Sequence, residues 1–485
     1  MKKYTKIVAT IGPATCHPRT LRRLYEAGMN AARINMSHGD RTSQTEYIRA
    51  IRQIDENFPI IMDTKGPEIR TGRMHQDLID VSCGDELRLV YAPVQHDLDS
   101  IPVDYPYLHE IGKGARILFD DGLVESEVID NNDGEFFIRI MNDGPIGTGK
   151  KVTIQGYRVR LPFLTEQDQK DILFAIENNI RLVAASFVRS AEDVRTLRSF
   201  LSDQKAEMMI FAKIEHSDAV ANLKDILTVS DGIMVARGDL GVELPLQEVP
   251  GIQNKIIRQC NQAGKPVIVA TQMLESMREN PRPTRAEVND IAHAILQGTD
   301  SIMLSAETAT GSHPIRSVEM MSLIAQQYEN QVKGIIKKYR RKEERGQTGI
   351  ALYIAKAAYY AADELKAKAI LTPTESGFTA RNVSRFKPKC PILASTKDAT
   401  VLQLLHLVWG VFPMLDISAY LDLNHYNMSY QLIYHYYKAG TLSKEDRIII
   451  TSGSNLMTKR GTNLFEIYAV RDIIEDNPSS QKDGF

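Results

Sequence analysis

The stretch that decides the fold is MMIFAKIEHSDAVANLKDILTVSDGIMVARGDLGVEL, residues 208–244. It holds two apolar runs that turn polar where they end, at Glu215 and again at Asp239, with a helical segment between them. This is one βαβ step, which pairs two parallel strands and brings their carboxyl ends to the same edge. We expect Glu215 and Asp239 to share one Mg²⁺ ion, which takes one or two protein carboxylates and otherwise binds water and phosphate oxygens. Lys213 lies beside them for a substrate anion.

The same alternation of apolar runs and helical segments continues on both sides of this stretch. It predicts eight strands, namely KIVATIGP (6–13), AARINMSHG (31–39), PIIMDTKGPEIRTG (59–72), RLVAASF (181–187), the two runs above, PVIVAT (266–271) and SIMLSAE (301–307). Eight parallel strands with their helices close a (β/α)8 TIM barrel, whose active site lies on the rim at the strands' carboxyl ends. An open doubly wound sheet is the alternative on strand count, but it would not gather all these ends at one place.

Two further regions break this rhythm. Residues 68–162 contain short β-like runs between Gly, Asp and Asn turns, which predicts an inserted all-β domain. Residues 349–471 start a new alternation, which predicts a C-terminal α/β domain. The barrel then comprises residues 1–67 and 163–335, and the charge run at 336–348 is either a linker or the solvated end of a helix.

Composition narrows the class of function. The 485 residues contain 59 Lys and Arg against 61 Asp and Glu, so no global basic field attracts nucleic acid. Charges interrupt every apolar run before it is long enough to span a membrane, and the start MKKYTKIVATIGP has no signal-peptide pattern, so we expect a cytoplasmic protein. Four scattered cysteines without C-x-x-C spacing argue against a zinc site and against a disulfide framework.

Polar residues collect at the predicted ends of the barrel strands. They are Arg33, Asn35, Ser37, Asp63, Thr64, Lys213, Glu215, Asp239, Thr271, Ser305 and Glu307. Two carboxylates for a divalent metal, cationic groups for phosphate, and an aspartate among neutral oxygens for a second, weaker cation suit phosphoryl transfer, where catalysis is mostly positioning and charge neutralisation.

The segment GPIGTGKK (144–151) nearly matches a nucleotide-binding loop. Its last position is Lys151, which cannot offer an oxygen to Mg²⁺, and a β-like run follows it instead of a helix. We therefore do not expect a phosphate-cradling loop there.

Long motifs in a fixed order resemble the pyruvate kinase family. They are KIVATIGPA, ARINMSHG, MDTKGPEIRTG, FAKIEH, MVARGDLGVEL, VIVATQMLESM, RPTRAEVNDIA and MLSAETATG, and the resemblance covers about residues 4–471. It implies a barrel domain, an inserted small β-barrel domain that acts as a lid, and a C-terminal α/β regulatory domain. It also implies that phosphoenolpyruvate and ADP become pyruvate and ATP in glycolysis, with Mg²⁺ (or Mn²⁺) and K⁺ as cofactors.

The resemblance also implies roles for single residues. Glu215 and Asp239 would bind the divalent metal, and Lys213 and Arg33 would hold the transferring phosphoryl group. The implied K⁺ ligands are Asn35, Ser37, Asp63 and Thr64. The implied contacts of the phosphoenolpyruvate carboxylate are Gly238, Asp239 and the Thr271 hydroxyl. The implied nucleotide contacts are Arg70 and Asn35. Thr271 and Ser305 would serve a proton relay to the enolate through water.

Two departures from the family pattern stand out. The chain has LSAETA where members usually have LSGETA, a small change that leaves Ser305 and Glu307 in place. Residues 149–162, GKKVTIQGYRVRLP, replace a K-G-x-N-x-P-G pattern, so nucleotide contacts by Lys150 or Lys151 stay open.

A carboxylate next to the predicted K⁺ ligands bears on cation dependence. Glu68 in KGPEIR adds a second negative charge near Asp63, and without a cation the two would oppose the anionic substrates. In the family, a Lys at the Glu68 position accompanies independence from K⁺. Glu68 could instead be only a hinge residue between barrel and lid.

The C-terminal domain carries a candidate anion site. LTPTESGFTAR (371–381) places Thr374, Ser376 and Thr379 around a glycine between a strand and a helix, which suits phosphate but also fits a plain helix cap. In the family this place binds phosphorylated effectors, and SGSNLMTKRGTN (452–463) resembles the loop that closes over them. We expect a homotetramer with a phosphorylated allosteric effector.

Two other functions compete with this prediction. Other metal-dependent barrels act on phosphoenolpyruvate or oxaloacetate as lyases, but they do not need an inserted lid together with Arg70 and the Asp63 cluster. A catalytically silent barrel kept for binding is the second rival, and the intact Lys213, Glu215 and Asp239 argue against it.

Overall fold

The computed structural model describes most of the chain. The described residues are 3–95, 97, 99–132, 135–157, 160–332, 349–415, 425–453 and 461–475. The charge run at 336–348 and residues 454–460 of the predicted effector loop therefore lie outside the described residues.

Eight parallel strands form a closed barrel, which confirms the prediction and excludes the open sheet. The strands are Lys6–Thr10, Ala31–Asn35, Ile60–Asp63, Leu182–Ala185, Met209–Ile214, Gly232–Ala236, Val267–Ala270 and Ser301–Leu304. The first strand pairs with the last, with Lys6 opposite Ser301. Nearly every strand residue is buried, because side chains inside the barrel pack on each other and side chains outside pack under the helices.

Helices surround the barrel. They are Pro18–Ala27, Arg41–Arg52, Glu166–Glu177, Ala191–Asp203, Ser217–Ala221, Leu223–Val229, Arg237–Glu243, Val249–Ala263, Arg285–Gln297, Ala306–Ala309 and Pro314–Tyr328. Several start with capping boxes, in which Thr165, Ser190 and Thr284 each exchange hydrogen bonds with an acidic residue three positions later. These local signals are readable in the sequence and agree with the packing.

The insert is an all-β domain with its own core. Its strands are Ile69–Arg70, Leu78–Val81, Glu86–Tyr91, Ser100–Val103, Arg116–Phe119, Val124–Asn132, Glu135–Ile140, Gly144–Gly147 and Lys151–Ile154, arranged as a seven-stranded sheet and a two-stranded ribbon. Phe119 and Phe136 lie in its apolar centre. The segment that resembles a nucleotide loop contains a strand, and another strand follows it, so the expectation of no such loop holds. We keep 68–162 as the proposed bounds of this domain.

The C-terminal domain is a five-stranded α/β sheet. Its strands are Ala369–Pro373, Ile392–Thr396, Val411–Leu415, Arg447–Ser452 and Leu464–Ala469, the last of which is antiparallel to its neighbour. Its helices are Ile350–Glu364, Phe378–Ser384, Ala399–Leu405, His425–Lys438 and Val470–Glu475. The proposed bounds of the domain stay 349–471.

The C-terminal domain closes the amino end of the barrel. Leu404 and Leu407 pack into the apolar cluster formed by interior residues of the barrel strands, among them Phe211 and Met303. The opposite end, where the strands' carboxyl ends meet, is left for polar chemistry. All four cysteines are free thiols. No helix in the described part of the chain is long and apolar enough to cross a bilayer, and the cytoplasmic location stays a prediction.

Candidate active site

Asp63 organises one side of the rim at the carboxyl ends of the strands. It ends the third barrel strand, is 1% exposed, and lies 2.6 Å from Arg33 Nε and 3.0 Å from Lys213 Nζ. Burial would raise the pKa of Asp63, but the charges of Arg33 and Lys213 outweigh it and hold the pKa below its usual value. Asp63 is therefore ionised and fixes two cationic side chains that can face a phosphoryl group.

Lys213 and Glu215 lie next to each other at the end of the fifth strand. Lys213 Nζ is 2.8 Å from Glu215 Oε1 and donates to the Ser186 hydroxyl at 2.6 Å. Burial would lower the pKa of Lys213, but the charges of Asp63 and Glu215 raise it. Burial raises the pKa of Glu215, an effect that Lys213 opposes and the charge of Asp239 reinforces. The ammonium stays charged, and the two carboxylates are close enough to repel each other.

Asp239 meets a lysine of the inserted domain. Its carboxylate contacts Lys151 Nζ, which also lies over the ring of Phe187. Burial would raise the pKa of Asp239, but the charges of Lys151 and Lys213 lower it. Glu215 and Asp239 thus form a paired carboxylate set whose charge is balanced by two ammonium groups, which fits a divalent cation. Among the described residues no group of three or more His, Cys, Asp or Glu side chains could hold a metal ion.

A tightly held turn places the Thr271 hydroxyl beside Gly238. The Gly238 N–H donates to Thr271 Oγ1 at 2.7 Å, and Arg237 donates to the Thr271 carbonyl oxygen at 2.6 Å. Arg237 is in turn held by Asp290 at 2.5 Å. Thr271 has φ 68° and Gln272 has φ 51°, in the left-handed region that side chains rarely adopt. The hydrogen bonds from Arg237 and Gly238 hold this strained backbone in place. Strained backbone of this kind clusters at functional sites.

Ser305 carries a buried hydroxyl that has no hydrogen-bond partner in the described part of the chain. Its N–H donates to Glu307 Oε2 at 2.7 Å, and Glu307 Oε1 accepts from the Leu274 N–H at 3.0 Å. Glu307 is fully buried, so it ties together the loops that follow the seventh and eighth strands. An unpaired buried hydroxyl is costly unless a ligand or water uses it.

The predicted K⁺ ligands lie at the ends of two adjacent strands. Asn35 is opposite Asp63 in the register, its side-chain oxygen accepts from the Ser37 N–H at 3.1 Å, and the Thr64 carbonyl accepts from the Ser186 hydroxyl at 2.6 Å. The two carboxylate oxygens of Asp63 accept hydrogen bonds from Arg33 and Lys213. The spacing of the strands in the sequence does not predict these two contacts.

Arg70 is held at the junction of barrel and insert. Its guanidinium lies 2.5 Å from Glu68 Oε2 and donates to the Gly149 carbonyl oxygen at 2.7 Å. Arg70 also pairs with Lys151 in the sheet register. Glu68 is thus neutralised by Arg70, which the sequence prediction of two opposing carboxylates does not include.

Sequence reasoning missed two residues of the rim. Ser186 follows the fourth strand, where the same strand-end rule would have found it, and its hydroxyl bridges Lys213 and Thr64. Lys151 lies in the segment that departs from the family pattern, so only the structure shows that it reaches Asp239.

The predicted effector turn lies in the C-terminal domain, on a strand-to-helix connection. Gly377 has φ 72° and precedes the helix Phe378–Ser384. No side chain of a described residue caps this helix, so the plain helix-cap alternative does not apply there. Thr379 Oγ1 is 2.7 Å from Thr462 Oγ1, Thr374 is buried, and Ser376 is exposed. The turn is therefore linked to the residues that end the 452–463 loop.

Comparison with known proteins gives a consistent result. The family models "Pyruvate kinase, barrel domain" and "Pyruvate kinase, alpha/beta domain" match residues 2–318 and 353–468. A pyruvate kinase of Sporosarcina psychrophila is 42% identical across 99% of this chain and 83% of its own length. One of Geobacillus stearothermophilus is 42% identical across 98% of this chain and 81% of its own.

A solved structure gives the same result for the fold. The crystal structure of a pyruvate kinase from Cryptosporidium parvum superimposes with a TM-score of 0.89 and 33% identity, covering 96% of each chain. The motifs, the barrel with its insert and these similarities agree, and the chain belongs to the pyruvate kinase family.

Proposed function

We propose that the rim cluster performs the family's reaction in this chain, the transfer of the phosphoryl group of phosphoenolpyruvate to ADP, which gives pyruvate and ATP in glycolysis. The observation that carries the proposal is the buried network in which Asp63 holds Arg33 and Lys213 beside Glu215. Two fixed cationic side chains next to the carboxylate pair would stabilise the negative charge on the phosphoryl group during its transfer. Because these side chains are fixed before the substrate binds, they need no reorganisation during the reaction.

Members of the family need a divalent metal and potassium. For this chain we assign Glu215 and Asp239 to the divalent ion, Mg²⁺ or Mn²⁺, which supplies Lewis-acid stabilisation of phosphoryl oxygens when bound. Asp239 would then exchange its contact with Lys151 for the ion, which frees the Lys151 ammonium for a substrate phosphate. Support comes from the opposed effects of burial and ammonium charge on the pKa values of the two carboxylates.

The turn at Thr271 is assigned to the substrate carboxylate and to the proton step. The backbone at Gly238 and Asp239 and the Thr271 hydroxyl would hold the carboxylate. After transfer, the enolate must gain a proton at carbon, and the hydroxyls of Thr271 and Ser305 would pass it through water. The orphan hydroxyl of Ser305 supports this role because it has hydrogen-bonding capacity to spare.

The test is pyruvate release from phosphoenolpyruvate, measured with and without ADP. Phosphotransfer requires ADP, whereas a lyase would ignore it and a silent barrel would release nothing. We expect release to depend on ADP and on a divalent cation, and to fall by several powers of ten in Lys213→Met. Release that is independent of ADP would contradict the proposal.

Potassium is assigned to the oxygens of Asn35, Ser37, Asp63 and Thr64, with Arg70 and Asn35 facing the nucleotide. Replacing K⁺ by Na⁺ or a bulky organic cation should lower activity strongly. Glu68→Lys should remove part of this dependence, although its ammonium would also repel Arg70, its present partner. Glu68→Gln is the matched control, because it removes the charge without adding a cation. Full activity without K⁺ would contradict the assignment.

Regulation is assigned to the turn around Thr374, Ser376 and Thr379, which would bind a phosphorylated effector in a homotetramer. The hydroxyls and the Thr379–Thr462 contact support it. A sugar phosphate or nucleoside monophosphate should shift the substrate saturation curve of the wild type, and Ser376→Asp should abolish the shift by repulsion. Light scattering measures the assembly. If no phosphorylated metabolite shifts the wild-type curve, the assignment is wrong.

A further inference from the structure

The inserted domain touches the barrel at a second place outside the rim cluster. Directly after the strand Lys151–Ile154, Gln155 Nε2 donates to the Val242 carbonyl oxygen at 2.6 Å. The next residue, Gly156, donates its N–H to Glu243 Oε1 at 3.2 Å. Two consecutive residues of the insert are thus bonded to two consecutive residues that end a barrel helix.

Glu243 is held in place from the barrel side. It is 7% exposed, and His216 Nε2 lies 2.9 Å from the same oxygen that accepts from Gly156. His216 Nδ1 accepts from the Asp218 N–H, so Nε2 carries the ring proton and donates it to Glu243 even when the ring is neutral. His216 therefore holds the Glu243 carboxylate in a fixed position, where it accepts the hydrogen bond from the Gly156 N–H of the insert.

Both contacts lie on the elements that carry the rim contact. Lys151 begins the strand Lys151–Ile154, which Gln155 directly follows. Asp239 lies four residues before Glu243 on the helix Arg237–Glu243, about one helical turn away. We propose that Gln155 and Glu243 are positioning residues that latch the insert over the rim and so hold Lys151 at the phosphoryl-transfer site. The proposal rests on the function proposed above.

The latch residues of the insert lie in a segment that departs from the family pattern. Gln155 and Gly156 lie in 149–162, the segment where the chain lacks the K-G-x-N-x-P-G pattern found in many family members. The geometry shows what Gln155 and Gly156 contact in this segment.

The experiment compares three variants of the full-length enzyme. Gln155→Glu keeps the side-chain shape but turns a donor into a carboxylate facing a carbonyl oxygen. Glu243→Gln keeps an acceptor oxygen. Glu86→Gln is the control, since Glu86 is half exposed and pairs with Arg139 inside the insert. The readouts are kcat, KM for both substrates, and hydrogen exchange of residues 150–156 in the substrate-free enzyme.

Gln155→Glu should raise both KM values about two- to tenfold, the range expected for a lost hydrogen bond. Its kcat should hold, because binding shared by ground and transition state is what is lost. Exchange at 150–156 should quicken in Gln155→Glu and, to a smaller degree, in Glu243→Gln, which keeps an acceptor oxygen but loses the charge that strengthens the bond from Gly156. Glu86→Gln should stay near wild type. If Gln155 had only a structural role, Gln155→Glu would lower the unfolding temperature but would not raise KM at unchanged kcat.

Unchanged KM and unchanged exchange in Gln155→Glu would overturn the latch, and so would an equal rise of KM in Glu86→Gln. The exchange measurement needs no turnover. If the enzyme released no pyruvate, the proposed function would fail while the contact itself was still tested.

Discussion

Two aspartates at opposite ends of one barrel have different surroundings. Asp239, at the carboxyl end, is 29% exposed and contacts Lys151, which comes from another domain. Asp300, at the amino end, is nearly inaccessible and lies 2.8 Å from the fully buried Lys387. Asp300 also accepts from two backbone N–H groups. The exchange of a protein partner for a metal ion proposed above concerns the first carboxylate, whereas both oxygens of the second are bonded to buried protein groups.

The residues around them repeat the contrast. Loops at the carboxyl end hold Phe187 and Thr271 in left-handed backbone conformations and leave the Ser305 hydroxyl unpaired. At the amino end, Leu404 and Leu407 fill the barrel with apolar packing. The difference teaches that the carboxyl end presents charged and hydrogen-bonding groups that a ligand can use, while the apolar packing at the opposite end supplies stability.

The largest effect is expected from Asp239→Ala. Turnover should fall by several powers of ten, because a metal ligand is lost, while the free energy of unfolding changes little at this partly exposed site. Steady-state kinetics and chemical denaturation measure the two quantities. Glu192→Ala, which removes an exposed carboxylate on an outer helix, is the control. Near-normal turnover would remove Asp239 from the site.

Asp300→Ala should do the reverse. Removing it withdraws the ionic partner of the buried Lys387 and an acceptor from two backbone N–H groups. Breaking a buried pair in this way costs about 3–5 kcal/mol of unfolding free energy. Turnover per folded molecule should stay within the wild-type range. A stable Asp300→Ala protein would show that the amino end is not the stabilising region.

A smaller effect should come from His406 at the amino end. Burial, and then the charge of Lys6, lower the pKa of His406 to about 4. Because the unfolded value is near 6.5, the stability from this neutral ring is complete above that pH and is lost as pH falls toward 4. The loss should reach about 3 kcal/mol. Denaturation of wild type and His406→Gln across this window measures it, and parallel curves would contradict the prediction.

The strand ends were predictable because periodicity alone locates them. Apolar runs that turn polar place Lys213, Glu215 and Asp239 on one rim, and the closed barrel confirms the count of eight. Contacts between distant residues were not predictable in the same way. Asp239 contacts Lys151 across 88 positions of sequence, and Lys151 belongs to the sheet of another domain, so no local pattern predicts the contact.

The fold of the insert shows the same limit. The strand Ile69–Arg70 has two residues and Gly144–Gly147 begins and ends in glycine, so neither carries the alternation that marks a strand. Pairing with Lys151–Ile154 and Leu78–Val81 defines them, and that pairing depends on register rather than on propensity.

The most direct test is a double-mutant cycle of Asp239→Ala and Asp300→Ala, measuring turnover and unfolding free energy for the wild type, both single variants and the double variant. If the two ends act separately, Asp239→Ala supplies the whole loss of turnover, Asp300→Ala supplies the whole loss of stability, and the double variant shows the sum within about 0.5 kcal/mol. Turnover lost in a fully folded Asp300→Ala protein, or a clear deviation from additivity, would contradict the separation of chemistry and stability between the two ends.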